Sequence, residues 1–105
     1  MPGSNTPGVI AILGGGVVEH AGLAADDLGL THGDGCFDSM RVVRDAHGTC
    51  VDHRTAHLAR FAASSSAMDL PAVDLDAWSR LIDTALDAWS GQGAATCRLL
   101  WTRGP

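Results

Sequence analysis

The run Phe37-Asp38-Ser39-Met40-Arg41 would put an aromatic ring, a hydroxyl and a guanidinium on one face of a strand, because successive strand residues point to opposite sides. That row suits a pocket wall or a solvated face and makes a poor dry core. His57 and Arg60 stand at the i, i+3 spacing that brings two side chains together on a helix. Other candidates carry less. Cys50-x-x-His53-x-x-x-His57 and His32-x-x-x-Cys36 loosely match zinc-ligand spacings, but a structural zinc site offers two close pairs framing a short module. These residues straddle a strand end and a helix start instead, so no metal is expected. Gly14-Gly15-Gly16 lies in neither G-x-x-x-x-G-K-[ST] nor G-x-G-x-x-G, and no serine nucleophile elbow G-x-S-x-G exists. Asp26 and Asp27 read as loop solvation. All seven basic residues are arginine. No step that needs a lysine amine can be completed by this chain alone.

The elements that must position these residues follow from periodicity. Val9 to Leu13 and Val17 to Glu19 flank the triple glycine, which predicts a hairpin. A turn-rich stretch, Gly29-Leu30-Thr31-His32-Gly33-Asp34-Gly35, delivers the chain into a strand over Cys36 to Arg44. There Cys36, Asp38, Met40 and Val42 share one face, and Phe37, Ser39, Arg41 and Val43 the other. Asp45-Ala46-His47-Gly48 is a turn, and Thr49 to Val51 returns as a short strand. Asp52 predicts an N-cap for a helix over His53 to Met68, with Leu58, Phe61, Ala62, Ser65 and Met68 on its apolar stripe and His57 and Arg60 on the flank. Leu70-Pro71 stops it. A second helix over Leu75 to Trp89 aligns Leu75, Trp78, Ile82, Ala85, Leu86 and Trp89. Gly91-Gln92-Gly93 closes that helix, and Ala95 to Thr102 reads as a last strand with Cys97, Leu99 and Trp101 on one side. The order predicts an α+β fold: a small antiparallel sheet with two helices packed on one face.

Composition narrows the function classes. The chain has 105 residues, and its 46% hydrophobic content is above what a disordered chain carries. One domain over 9–105 is expected after a disordered leader over 1–8, with a core too small for more than one modest site. The formal net charge of −5 and the scattered arginines argue against nucleic acid as a partner. No early apolar run is long enough for a signal core or membrane span, so no membrane and a cytoplasmic location are expected. Cys36, Cys50 and Cys97, odd in number and widely spaced, read as reduced and mostly buried thiols.

Three segments in fixed order carry a family resemblance: Gly33-Asp34-Gly35-Cys36-Phe37-Asp38-Ser39-Met40-Arg41-Val42, His57-Leu58-Ala59-Arg60-Phe61, and Ala67-Met68-Asp69-Leu70-Pro71. With the opening hairpin, the Asp27-Leu28-Gly29-Leu30 turn and the Thr102-Arg103-Gly104 ending, this resembles the N-terminal domain of class IV aminotransferases, the fold-type IV pyridoxal-phosphate enzymes. Asp38 departs from the family's frequent glutamate. The G-D-G-C-F form looks most like the family's aminodeoxychorismate lyases, which release pyruvate and p-aminobenzoate for folate biosynthesis. Branched-chain and D-amino-acid aminotransferases are the alternatives within the family, and a non-catalytic stand-alone binding module is the alternative outside it. The resemblance implies pyridoxal phosphate as cofactor, a homodimer, and Arg60 as a contact to the cofactor phosphate. It implies Phe37, Ser39 and Arg41 as substrate-pocket residues, with His32 approaching the site. No catalytic residue is implied here, because the family's cofactor-binding lysine belongs to a larger C-terminal domain. A lysine-bearing C-terminal domain is therefore the expected partner, the chain is read as severed after its last strand, and alone it is expected to be inactive.

Overall fold

A computed structural model describes residues 8–19 and 35–102. The expectations for the leader up to residue 7, for Asp26 and Asp27, for His32 and for the Arg103-Gly104 ending lie outside these residues. The order is β1 (Ile10–Ile12), β2 (Gly16–Val18), β3 (Gly35–Asp45), β4 (Gly48–Val51), α1 (Arg54–Ala67), α2 (Leu75–Ala88) and β5 (Gly93–Thr102).

The opening hairpin forms as expected, with Ile12 opposite Gly16. Gly14 and Gly16 both take positive φ, 80° and 70°, which a residue with a Cβ rarely adopts. This hairpin is a two-stranded sheet of its own, packed against α2, and the remaining strands form a second sheet in the order β4-β3-β5. The fold is therefore α+β with small antiparallel sheets. β3 is central but covered unequally: β5 pairs along it from Gly35 to Arg44, whereas β4 reaches only Val42 to Asp45. Among the described residues, its N-terminal half consequently has no paired strand along one edge.

Both helices lie on one face of this sheet. Cys36, Met40, Leu58, Phe61, Leu70, Trp78, Ile82 and Leu99 make one buried cluster, in which Phe61 has no exposure at all. Phe61 meets Trp78 edge-on with ring centroids 4.9 Å apart, and Trp78 meets Trp101 in the same way at 5.4 Å. The Trp101 indole N–H donates to the Pro71 carbonyl at 3.1 Å, so its polar atom is satisfied at the rim. Arg54 ties the helices together by donating to Asp83 at 2.8 Å and to Ser79. These contacts explain why the aromatic residues are structural here.

The helix ends differ from expectation. Asp52 does not cap α1: His53 holds that position in a left-handed conformation with no side-chain cap, and Asp52 pairs with Arg41 at 3.3 Å. A cross-strand arginine has taken the carboxylate that local spacing assigned to the helix. α1 ends at Ala67, before the proline, because Asp69 turns left-handed and the Leu70 N–H bonds back to the Ser65 carbonyl. Asp74 does cap α2, accepting from the Ala77 N–H at 3.0 Å. Leu75 is 46% exposed, since it sits in the first turn beyond the core. Cys50 is exposed as well, against the expectation of mostly buried thiols, because β4 is the sheet's outer strand.

Candidate anion site at the open edge of the sheet

β3 places a carboxylate where its alternation puts core residues. Cys36, Asp38, Met40 and Val42 are all buried, and the Asp38 side chain is only 3% exposed. A buried carboxylate is tolerated only when charged or hydrogen-bonding partners replace its water. Helix α1 supplies them. Arg60 grips both oxygens, Nε to Oδ2 and Nη2 to Oδ1, each at 2.7 Å. His57, one turn earlier on the same flank, approaches Oδ1 through Nδ1 at 2.8 Å. An ionised carboxylate only accepts, so His57 Nδ1 carries the hydrogen and donates it. The same nitrogen then has no lone pair for Arg60 Nη2, and their 3.2 Å approach is a packing contact.

The electrostatics follow from this fork. The Asp38 carboxyl is held well below the usual range, at about 2, by the hydrogen bond from Arg60 against the opposing effect of burial, with His57 adding to the lowering. The reciprocal hydrogen bond pushes the Arg60 guanidinium further up. Arg60 nevertheless remains 66% exposed, and its Nη1 has no hydrogen-bond partner among the described residues. A planar guanidinium with two nitrogens fixed and a third edge presented outward can offer that edge to a phosphate oxygen.

The other expected site residues sit elsewhere. Phe37, Ser39 and Arg41 do share one face, the outer one, opposite Asp38 and the helices. Phe37 is 61% exposed, with the Arg98 guanidinium 4.5 Å above its ring, and Arg41 is taken by Asp52. Among the described residues Ser39 and Arg41 line a shallow depression with Met40, Ala94, Ala95 and Thr96, separate from Arg60, and Phe37 lies outside it. A larger apolar cleft of about 780 Å³ lies between β1, α2 and β5, also away from Arg60. Of the loose zinc-ligand set, His57 is committed to Asp38, His53 is the residue before α1, and Cys50 faces solvent. Burial pushes the Cys97 thiol up, which makes it a poor nucleophile.

Asp38 and His57 are the site residues that sequence reasoning did not assign. The available signal was a charge at an inward position of an alternating strand, since such a residue must find a partner. His57 and Arg60, already paired by helical spacing, were the nearest candidates in kind.

No family model matches the sequence. The chain is 39% identical over 84 residues to the bifunctional aminodeoxychorismate lyase / D-amino acid transaminase of Mycobacterium tuberculosis, covering 78% of this chain and 28% of that protein. Its fold resembles the apo form of a hypothetical aminotransferase from M. tuberculosis with a TM-score of 0.79 and 34% identity, over 93% of this chain and 34% of that one. The PLP-bound form of the same protein has a TM-score of 0.73 over 91% of this chain. A fold IV-transaminase from Curtobacterium pusillum is 29% identical with a TM-score of 0.65, over 84% of this chain and 30% of that one. The chain thus spans about a third of the length of these relatives.

Proposed function

Because this chain belongs to the class IV aminotransferase family, as a partial domain of that architecture, we propose that it forms the phosphate side of a pyridoxal-phosphate site in an aminodeoxychorismate lyase. The observation that carries the reading is the Arg60 guanidinium, anchored on Asp38 yet open along one edge among the described residues, on the helix bearing the H-x-x-R motif. The residues fit the group in chemistry: a fixed cationic fork suits a phosphate monoester, and the exposed edge leaves room for it. When bound, pyridoxal phosphate supplies an electron sink for bonds at the amino-bearing carbon. Arg60 would hold its phosphate and so orient the ring, while the outer face of β3 with Phe37, Ser39 and Arg41 would contact substrate once another wall covers it. The lysine that attaches the cofactor must come from outside these 105 residues, because they contain none. A lysine-bearing C-terminal domain and a homodimer complete the proposed assembly.

In the proposed reaction aminodeoxychorismate loses its enolpyruvyl group as pyruvate and leaves p-aminobenzoate. Transamination of a D-amino acid is the second reading, favoured by the paired activities in the name of the M. tuberculosis relative. The full-length protein, supplied with cofactor and aminodeoxychorismate, should release fluorescent p-aminobenzoate and pyruvate in equal amounts. Turnover of D-amino acids with a 2-oxo acid and no p-aminobenzoate would favour the second reading, and neither activity would favour a non-catalytic module. Residues 1–105 alone should show no turnover of either kind, and activity in a preparation of verified mass would overturn the partial-domain reading.

A further inference from the structure

We propose that Asp38 is a positioning residue for the Arg60 phosphate contact, with His57 as its second clamp. It acts by locking the plane of the guanidinium so that the Nη1 edge is presented to a phosphate monoester. The inference rests on the reading of Arg60 as a phosphate ligand, and goes beyond it by assigning work to two residues that would touch no ligand. An exposed arginine side chain has several rotatable bonds and samples many orientations. Here two of its nitrogens are tied to the two oxygens of one carboxylate, each at 2.7 Å, which leaves a single orientation of the fork. The carboxylate is itself immobile: it projects from the paired strand β3, is almost wholly buried, and receives a third hydrogen bond from His57 at 2.8 Å. Asp38 also cancels much of the Arg60 charge, so the pair contributes direction more than net attraction. In metal sites, where the same logic operates, loss of a residue behind a ligand costs about tenfold to a hundredfold in affinity through its orientation and basicity.

The test compares equilibrium affinities of the full-length protein for pyridoxal 5′-phosphate and for pyridoxal, whose ratio isolates the phosphate contribution. Asp38→Asn keeps the shape of the side chain and removes the charge. It should lower that ratio roughly fivefold to tenfold while leaving pyridoxal affinity unchanged. Asp38→Glu, which restores the carboxylate with one more methylene, should recover part of the loss. In an Arg60→Lys background, where the fork is already gone, Asp38→Asn should have little further effect. Circular dichroism on each variant separates unfolding from a binding change, and should Asp38→Asn fail to fold, Asp38→Glu carries the test by lowering the ratio with pyridoxal affinity intact. An unchanged ratio in every folded Asp38 variant, alongside a lowered ratio in Arg60→Lys, would overturn the positioning role and leave the phosphate contact standing. An unchanged ratio in Arg60→Lys and Arg60→Ala would remove the phosphate contact itself, and the positioning role with it.

Discussion

Two arginines, Arg44 and Arg60, meet opposite fates at the two ends of the same sheet. Arg44 lies at the end of β3 beside the C-terminus of α2, and every nitrogen of its guanidinium is engaged. Nε donates to the Thr49 hydroxyl at 2.8 Å, Nη2 to the Leu86 carbonyl at 2.7 Å, and Nη1 to the Trp89 and Gly91 carbonyls, while the ring of Trp89 lies 4.6 Å beneath it. These are carbonyls at and just beyond the helix end, where helical N–H partners run out, and that of Leu86 also accepts from the Trp89 N–H at 3.2 Å. Arg60 is held by one carboxylate on two nitrogens and, among the described residues, keeps a third edge open. The comparison teaches that hydrogen-bond saturation, more than charge or exposure, separates an arginine that closes a structure from one able to bind.

The largest effect expected from breaking this contrast is at Arg44. Arg44→Ala strands several carbonyls at a partly buried helix end and should destabilise the protein by about 2–4 kcal/mol. Pyridoxal phosphate affinity should stay unchanged in the fraction that remains folded. Urea midpoints together with a cofactor titration check it, and a loss of affinity without loss of stability would reverse the assignment of roles.

Arg60→Ala should lower both quantities. Phosphate-dependent affinity should fall roughly tenfold. The melting temperature should fall too, since Asp38 is left as a buried carboxylate without its main partner, and its carboxyl should rise from about 2 because burial then opposes ionisation with less compensation. The interior anchor of this exposed side chain makes that stability loss visible, although Arg60 lies off the apolar stripe of α1. Adding Asp38→Asn should return part of the melting temperature and none of the affinity.

The smallest effect is acid-dependent. Asp38 is depressed from 3.8 to about 2, so its contribution is fully present above pH 4 and is lost as pH falls toward 2. It amounts to about 2 kcal/mol. The stability advantage of wild type over Asp38→Asn should therefore shrink by more than half between pH 6 and pH 2.5 in urea titrations. An advantage that is flat across this window would mean that Asp38 gains nothing from its partners on folding.

Local spacing determined much of this protein: the glycine-bearing hairpin, the alternation of β3, the buried stripe of Leu58, Phe61 and Ser65, and the face of α2 that buries Trp78 and Ile82 all follow from side-chain period alone. The H-x-x-R spacing likewise put His57 and Arg60 together. What only the tertiary structure decided is whom each polar residue meets. Asp52 abandoned the helix for Arg41 on a neighbouring strand, Arg44 found carbonyls more than forty positions away, and Asp38 found Arg60 across the packing of α1 on β3. Periodicity says which face a residue occupies, because backbone geometry repeats over a few residues. It cannot say which residues stand opposite, because that depends on where a helix crosses a strand, and the buried apolar contacts of the whole domain set that crossing.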